Sequence, residues 1–240
     1  MSKTYEALKR AESLRARDVG EAVGIPNPPL PVNGTDDYYE LRRRLFGSAV
    51  GDTIKSILVV SALHGEGTSG VACLLAKAMA DRGRSHVMLV DLNLRTPSLW
   101  RQMQVKGREG FVNMVAEGKD VSEVIQESSV PGVSVVTAGS GRLNAIDVID
   151  NERTLEVVST MAEHAEITFL DAPPVTLYPD ARALAPLMDG VVLVIEADVT
   201  PVSVAARASQ MIRETGANLI GVVLNKRRDY IPERVSRLIG

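Results

Sequence analysis

From Ile54 onward, short runs of β-branched and apolar residues alternate with stretches whose apolar positions recur every three or four residues. The runs are Ser56–Val60, His86–Val90, Val133–Thr137, Ile167–Leu170, Val191–Ile195 and Leu219–Leu224. Helical periodicity fills about 69–82, 111–126, 145–164, 180–187 and 202–214. Strands that are apolar along their whole length are covered on both faces, so the pattern predicts an α/β fold, a three-layer αβα sandwich around a mostly parallel sheet. Ligands on such sheets bind beyond the carboxyl ends of the strands.

Upstream the pattern changes twice. Residues 4–17 carry Tyr5, Leu8, Ala11 and Leu14 at helical spacing among charged residues, so 1–18 is expected to hold an amphipathic helix. Ile25 to Gly34 contains four prolines, which exclude helix and central strand, so 19–35 is expected to be a linker. Asp36 to Ala49 predicts a second helix, capped by Asp36 or Asp37, with Leu41, Leu45 and Phe46 on its apolar side. Residues 36–240 are read as one domain.

The chemistry gathers where predicted strands end. Ala62-Leu63-His64-Gly65-Glu66-Gly67-Thr68-Ser69 follows the first of them. It fits a phosphate-binding loop, whose glycines turn amides toward an anion and whose following helix offers its free N–H groups. Gly65, Glu66, Gly67, Thr68, Ser69 and Gly70 are the expected nucleotide contacts, and Ser69 is placed to coordinate Mg²⁺. Thr68 stands where such a loop ordinarily has a lysine. The second strand runs into Asp91, which either serves a metal or its water or caps the turn that follows. The fourth ends Leu170-Asp171-Ala172-Pro173-Pro174, with Asp171 read as a second Mg²⁺ acid.

Taken in order, Gly65-Glu66-Gly67, Asp91-x-Asn93-x-Arg95, Asp171-x-Pro173-Pro174, Asp180-Ala181-Arg182 and Gly221-Val222-Val223-Leu224-Asn225 resemble the bacterial tyrosine kinases of capsule and exopolysaccharide export. These are P-loop proteins similar to the partitioning and division-site ATPases, and the likeness covers roughly 36–240. It implies ATP or ADP with Mg²⁺ at Ser69, Asp91 and Asp171. It also implies a base-reading role for Asn225, against the alternative of a turn residue closing the last strand. The implied partner is the cytoplasmic part of an inner-membrane polysaccharide co-polymerase or chain-length protein, with homo-oligomers possible.

Four departures point away from phosphate transfer. Thr68 replaces the loop lysine, and Leu63 stands where the partitioning ATPases carry another. Asn93 replaces a second acid, and an amide takes up no proton. In the family's E-x-x-R-x-x-R helix the middle arginine becomes Tyr39. The terminal tyrosine cluster is reduced to Tyr230, a residual phosphosite or a packing anchor. The expected function is thus a catalytically impaired regulator or adaptor. The alternatives are an active kinase or ATPase in which Arg95 or a neighbouring subunit supplies the missing charge, and a partitioning-type switch.

Composition adds limits. A net charge of −3, with 45% hydrophobic and 24% charged residues, gives no reason to invoke nucleic acid. The basic residues after Asn225 suit either an anionic membrane or partner, or the solvated face of a last helix. One cysteine, Cys73, excludes an internal disulfide and suggests a reducing compartment. No apolar run approaches the roughly 20 residues of a membrane span, and no signal-peptide core is visible near Met1. The expected location is cytoplasmic, reaching the inner membrane through a partner.

Overall fold

The computed structural model describes residues 30–31, 35–46, 54–81, 86–141 and 144–227. The helix expected within 1–18, Tyr230 and the part of the basic tail beyond Arg227 lie outside them.

Among the described residues eight strands form one sheet: β1 (Leu30–Pro31), β2 (Ser56–Ser61), β3 (Val87–Asp91), β4 (Gln126–Glu127), β5 (Val133–Val136), β6 (Ile167–Asp171), β7 (Gly190–Glu196) and β8 (Leu219–Asn225). Their order across the sheet is β1-β8-β7-β2-β6-β3-β5-β4. Every neighbouring pair is parallel except β4 with β5. The helices are α1 (Thr35–Phe46), α2 (Thr68–Ala80), α3 (Leu99–Gln102), α4 (Phe111–Glu117), α5 (Val121–Val124), α6 (Ala145–Ile149), α7 (Arg153–Glu163), α8 (Asp180–Leu184) and α9 (Val202–Arg213).

Alternation along each strand sorts the core into two layers, because successive side chains point to opposite faces. Leu58 and Val60 of β2 join Met88, Val90, Leu170 and Leu193 beneath α4 to α9, where Phe111, Met161 and Ile212 close the layer. Ile57 and Val59 join Leu89, Phe169, Val192 and Val194 beneath α1 and α2, with Tyr38, Leu41, Leu75 and Met79. Each large side chain so buried contributes about 1.5–3 kcal/mol. The expected three-layer architecture is the observed one.

The differences have local causes. The stretch expected as one helix over 111–126 breaks after Glu117, where Gly118 turns left-handed at φ 76°. Asp120 then starts α5 by accepting a hydrogen bond from the Ser122 amide at 2.9 Å, and the Glu123 side chain reaches back to the Asp120 amide. The stretch over 145–164 also divides, into α6 and α7. Leu30–Pro31, inside the expected linker, pairs with Val223 and Leu224 as the outermost strand. A proline residue is tolerated there because an edge position need not donate on both sides.

Candidate functional site

β6 lies between β2 and β3, so the end of β6 falls between the loop that leaves β2 and the end of β3. Asp91 and Asp171, the last residues of β3 and β6, are cross-strand partners in register. The sheet itself therefore sets the spacing of the two acids, and both are fully buried.

Their surroundings differ. One oxygen of Asp91 accepts the Asn93 amide at 3.2 Å, and the other accepts the amides of Ser98 and Leu99 at 3.0 Å each. It thus caps the entry to α3, the local role that the sequence left open, while still lining the site. Burial raises its pKa to about 6 against the pull of those three amides. Asp171 has a hydrogen-bond partner at neither carboxylate oxygen. Burial, then the charge of Asp91, raises it well above the ordinary carboxylate range. The Ser69 hydroxyl works against that rise but falls short of hydrogen-bonding geometry.

Two acids with a hydroxyl nearby and an orphaned carboxylate fit a hard divalent cation. Magnesium keeps several waters and shares its shell with substrate phosphates, so two protein acids suffice. No group of three or more His, Cys, Asp or Glu side chains suited to a metal occurs among the described residues. Cys73, one turn beyond Ser69 on α2, feels the same acids: burial, then Asp171 and Asp91, pushes its thiol up to about 12. It is no nucleophile near neutrality.

The loop is shaped as the motif requires. Gly65 and Gly67 take φ 83° and 88°, left-handed conformations that suit glycine. Gly67 is the N-cap of α2 and no side chain caps that end. The amides of Glu66, Gly67, Thr68 and Ser69 find no acceptor among the described residues. A helix start with free N–H groups beside a buried carboxylate pair fits a phosphate with its cation. Thr68 is buried in the first turn, so the lysine position holds a short neutral side chain.

The loop is braced from three sides. The Glu66 carboxylate, 2% exposed, accepts the Leu63 amide at 2.7 Å and the Thr200 hydroxyl. Asn225 Nδ2 donates to the Glu66 carbonyl at 2.8 Å. A Cβ added to Gly67 would lie 2.3 Å from that nitrogen. Lys226 Nζ donates to the Gly65 carbonyl and, at 3.0 Å, to Glu196. His64 shares a hydrogen bond with the Tyr178 hydroxyl at 3.0 Å. Ser69, Asp91, Asp171 and Asn225, chosen from sequence alone, thus converge around one loop.

The remaining candidates have other occupations. Arg95 grips Asp180 with two hydrogen bonds at 2.8 and 3.0 Å and stacks 4.3 Å above the Tyr178 ring. Asn93 accepts the Thr96 amide and hydroxyl at 3.2 Å each, closing a turn. The Tyr39 hydroxyl donates to Asp81 at 2.7 Å, tying α1 to the end of α2. Sequence reasoning missed Thr200 and Lys226. Thr200 carried no local signal, and Lys226 was read as part of the basic tail although it directly follows Asn225.

No protein-family model matches the chain. It is 25% identical over 194 residues to the tyrosine-protein kinase YwqD of Bacillus subtilis, covering 81% of each chain. It is 24% identical over 192 residues to the putative tyrosine-protein kinase CapB of Staphylococcus aureus, covering 80% of this chain and 84% of that one. In structure it resembles the chimerical protein CapA2B2, with a TM-score of 0.80 at 23% identity over 89% of this chain and all of that one. It also resembles the cell division ATPase MinD of Pyrococcus furiosus, with a TM-score of 0.63 at 23% identity, covering 77% of this chain and 79% of that one. The fold is that of P-loop nucleotide-binding proteins.

Proposed function

We propose that this relative of the bacterial tyrosine kinases is a regulator or adaptor in exopolysaccharide biosynthesis and export, one that binds Mg-ATP or Mg-ADP weakly and transfers no phosphate. The observation that carries the reading is the mismatch inside one site. The buried pair Asp91 and Asp171, with Ser69 near Asp171, supports a magnesium site, while buried Thr68 stands where the cation that would neutralise the terminal phosphates is expected. Catalysis of phosphoryl transfer is almost entirely positioning and charge stabilisation. Removing that cation therefore costs the reaction more than it costs binding.

The alternative of an active kinase or ATPase needs a substitute charge for the reaction. Arg95, the residue considered for it, is held by Asp180 and stacked on Tyr178, away from any role as a free finger. Asn93 offers no base, since a side-chain amide takes up no proton, and its oxygen accepts from Thr96 in a turn. By resemblance, the partner is the cytoplasmic part of an inner-membrane polysaccharide co-polymerase or chain-length protein, and the protein works at the cytoplasmic face. No helix among the described residues is long and apolar enough to cross a membrane.

Two measurements test the reading together. Calorimetric titration of Mg-ATP and Mg-ADP is expected to give weak but saturable binding, lost in Asp171→Ala. Incubation with labelled Mg-ATP is expected to leave tyrosine unlabelled. Label on tyrosine that disappears in Asp171→Ala would make the protein a kinase and overturn the proposal.

A further inference from the structure

The loop without its own lysine has a lysine laid against it. Among the described residues, the basic head group that touches the loop backbone is that of Lys226, which donates to the Gly65 carbonyl. Its Cε would come within 3.8 Å of a Cβ at Gly67, so the stem runs along the glycine edge of the loop. Nothing in the local sequence forces this placement. Lys226 adopts φ 56°, a left-handed conformation uncommon for a residue with a side chain, directly after the last residue of β8. That turn presents Asn225 and Lys226 consecutively to the loop, one on the Glu66 carbonyl and one on the Gly65 carbonyl.

The hold on the ammonium group is loose. Its ion pair with Glu196 joins side chains 45% and 24% exposed, and such a pair is held weakly in water. An ammonium has three donors, and the two bonds seen here leave one for a further acceptor. The acceptor the site calls for is anionic. The amides of Glu66 to Ser69 await one. A polyphosphate beside two buried carboxylates also needs more positive charge than one Mg²⁺ provides.

We propose that Lys226 supplies, from the end of β8, part of the phosphate-binding charge that the loop lacks at position 68, a contribution to nucleotide binding and not to phosphate transfer. This deepens the reading that the loop takes a nucleotide, and it rests on it. On binding, the head group exchanges the Gly65 carbonyl and Glu196 for a phosphate oxygen, a short swing of a flexible stem. Lysine suits this better than arginine suits a buried fork, because a point charge with rotatable donors tolerates a ligand that arrives in several poses.

The test is calorimetric titration of Mg-ATP and of adenosine into the full chain, using wild type, Lys226→Ala, Lys226→Arg, Thr68→Lys and the double variant Thr68→Lys/Lys226→Ala. Lys226→Ala is expected to weaken Mg-ATP at least tenfold while changing adenosine less than twofold, and Lys226→Arg is expected to recover most of the loss. With lysine at 68 the same Lys226→Ala change is expected to cost less than threefold, because the two cations serve one role. Equal losses for Mg-ATP and adenosine would reduce Lys226 to a prop for the loop and overturn the proposal. Undiminished Mg-ATP binding in Lys226→Ala would overturn it while leaving the nucleotide reading intact. Absence of Mg-ATP binding in both wild type and Thr68→Lys would remove both. Thermal unfolding of each variant keeps a folding defect from passing as a binding one.

Discussion

Arg95 and Asp180 meet in a two-point grip, Nε on one carboxylate oxygen at 2.8 Å and a terminal nitrogen on the other at 3.0 Å. Asp180 is 3% exposed at its side chain and Arg95 26%, and the guanidinium lies over Tyr178, whose hydroxyl reaches His64 in the anion loop. The arrangement joins the turn after β3, the start of α8 and the loop after β2. It is a structural tie, and it holds the arginine through Nε and one terminal nitrogen.

Removing that arginine should therefore act on stability before activity. Arg95→Ala leaves a buried carboxylate without its partner, which costs about 2–3 kcal/mol for a pair with one partly exposed member. Arg95→Lys should recover less than half, because an ammonium cannot match the two oxygens at once. Urea unfolding midpoints check both figures. A neutral Arg95→Ala would mean the grip contributes nothing net.

Restoring the loop cation should act the other way. An unpaired buried charge costs about 3–5 kcal/mol, which corresponds to two to three factors of ten in affinity. In a Lys226→Ala background Thr68→Lys is expected to tighten Mg-ATP by about that much, and by less where Lys226 already serves the phosphates. The protein should then melt at higher temperature in millimolar Mg-ATP, since ligand at a hundred times its Kd adds about 2.7 kcal/mol. No gain in affinity would mean that more than one group of the pocket has been lost.

The two acids give the apoprotein a definite pH dependence. Asp91, raised to about 6, and Asp171, raised well above 3.8, hold protons more tightly when folded than when unfolded. Between the unfolded and folded pKa values the folded state thus holds more protons than the unfolded one, so their contribution to stability falls from about pH 4 until the folded pKa is passed. For Asp91 the full loss is about 3 kcal/mol. Asp171→Asn should consequently be more stable than wild type at pH 7.5 in chelator and nearly equal to it at pH 4.5. Chemical denaturation at the two values reads this directly, and a difference that does not change with pH would contradict it.

Two glycines of one loop separate conformation from crowding. Gly65 at φ 83° has nothing within 4 Å of an added Cβ, so Gly65→Ala should cost only the left-handed penalty of about 1–2 kcal/mol. Gly67 at φ 88° would press its Cβ to 2.3 Å from Asn225 Nδ2, adding about 1–3 kcal/mol of overlap. Asn225→Ala should remove the second cost and leave the first. A double-mutant cycle on unfolding free energy measures the difference.

What could be read from the sequence followed from burial. Residues Ile167 to Asp171 are buried without a break, as are Val87 to Asp91, and continuous apolar runs give such strands away. The acids at their ends were legible as a pair on one rim, because a single carboxylate closing an apolar run also serves to cap the next turn, as Asp91 does. Gln126–Glu127 was not legible as a strand, because two polar residues at a sheet edge carry no period. Nor were the bonds from Thr200 and Asn225 to Glu66, which join positions 134 and 159 apart and leave no trace in any local pattern. Asp189 is a similar case: it accepts the amides of Lys55 and Ser56 at 2.8 Å and thereby fixes the start of β2 from across the chain.

The bond from Asn225 to the Glu66 carbonyl also has a mechanical meaning. β8 is separated from β2 by β7, yet through this side chain, and through Lys226 beside it, its end is fastened to the loop that leaves β2. A pull on the chain beyond Arg227 reaches Lys226 and then Asn225, the last rung of the ladder with β7, before the rest of that ladder. Such a pull therefore loads the anion loop together with the end of the sheet. Tension on the C-terminal end and occupancy of the loop therefore act on the same small piece of backbone from opposite sides.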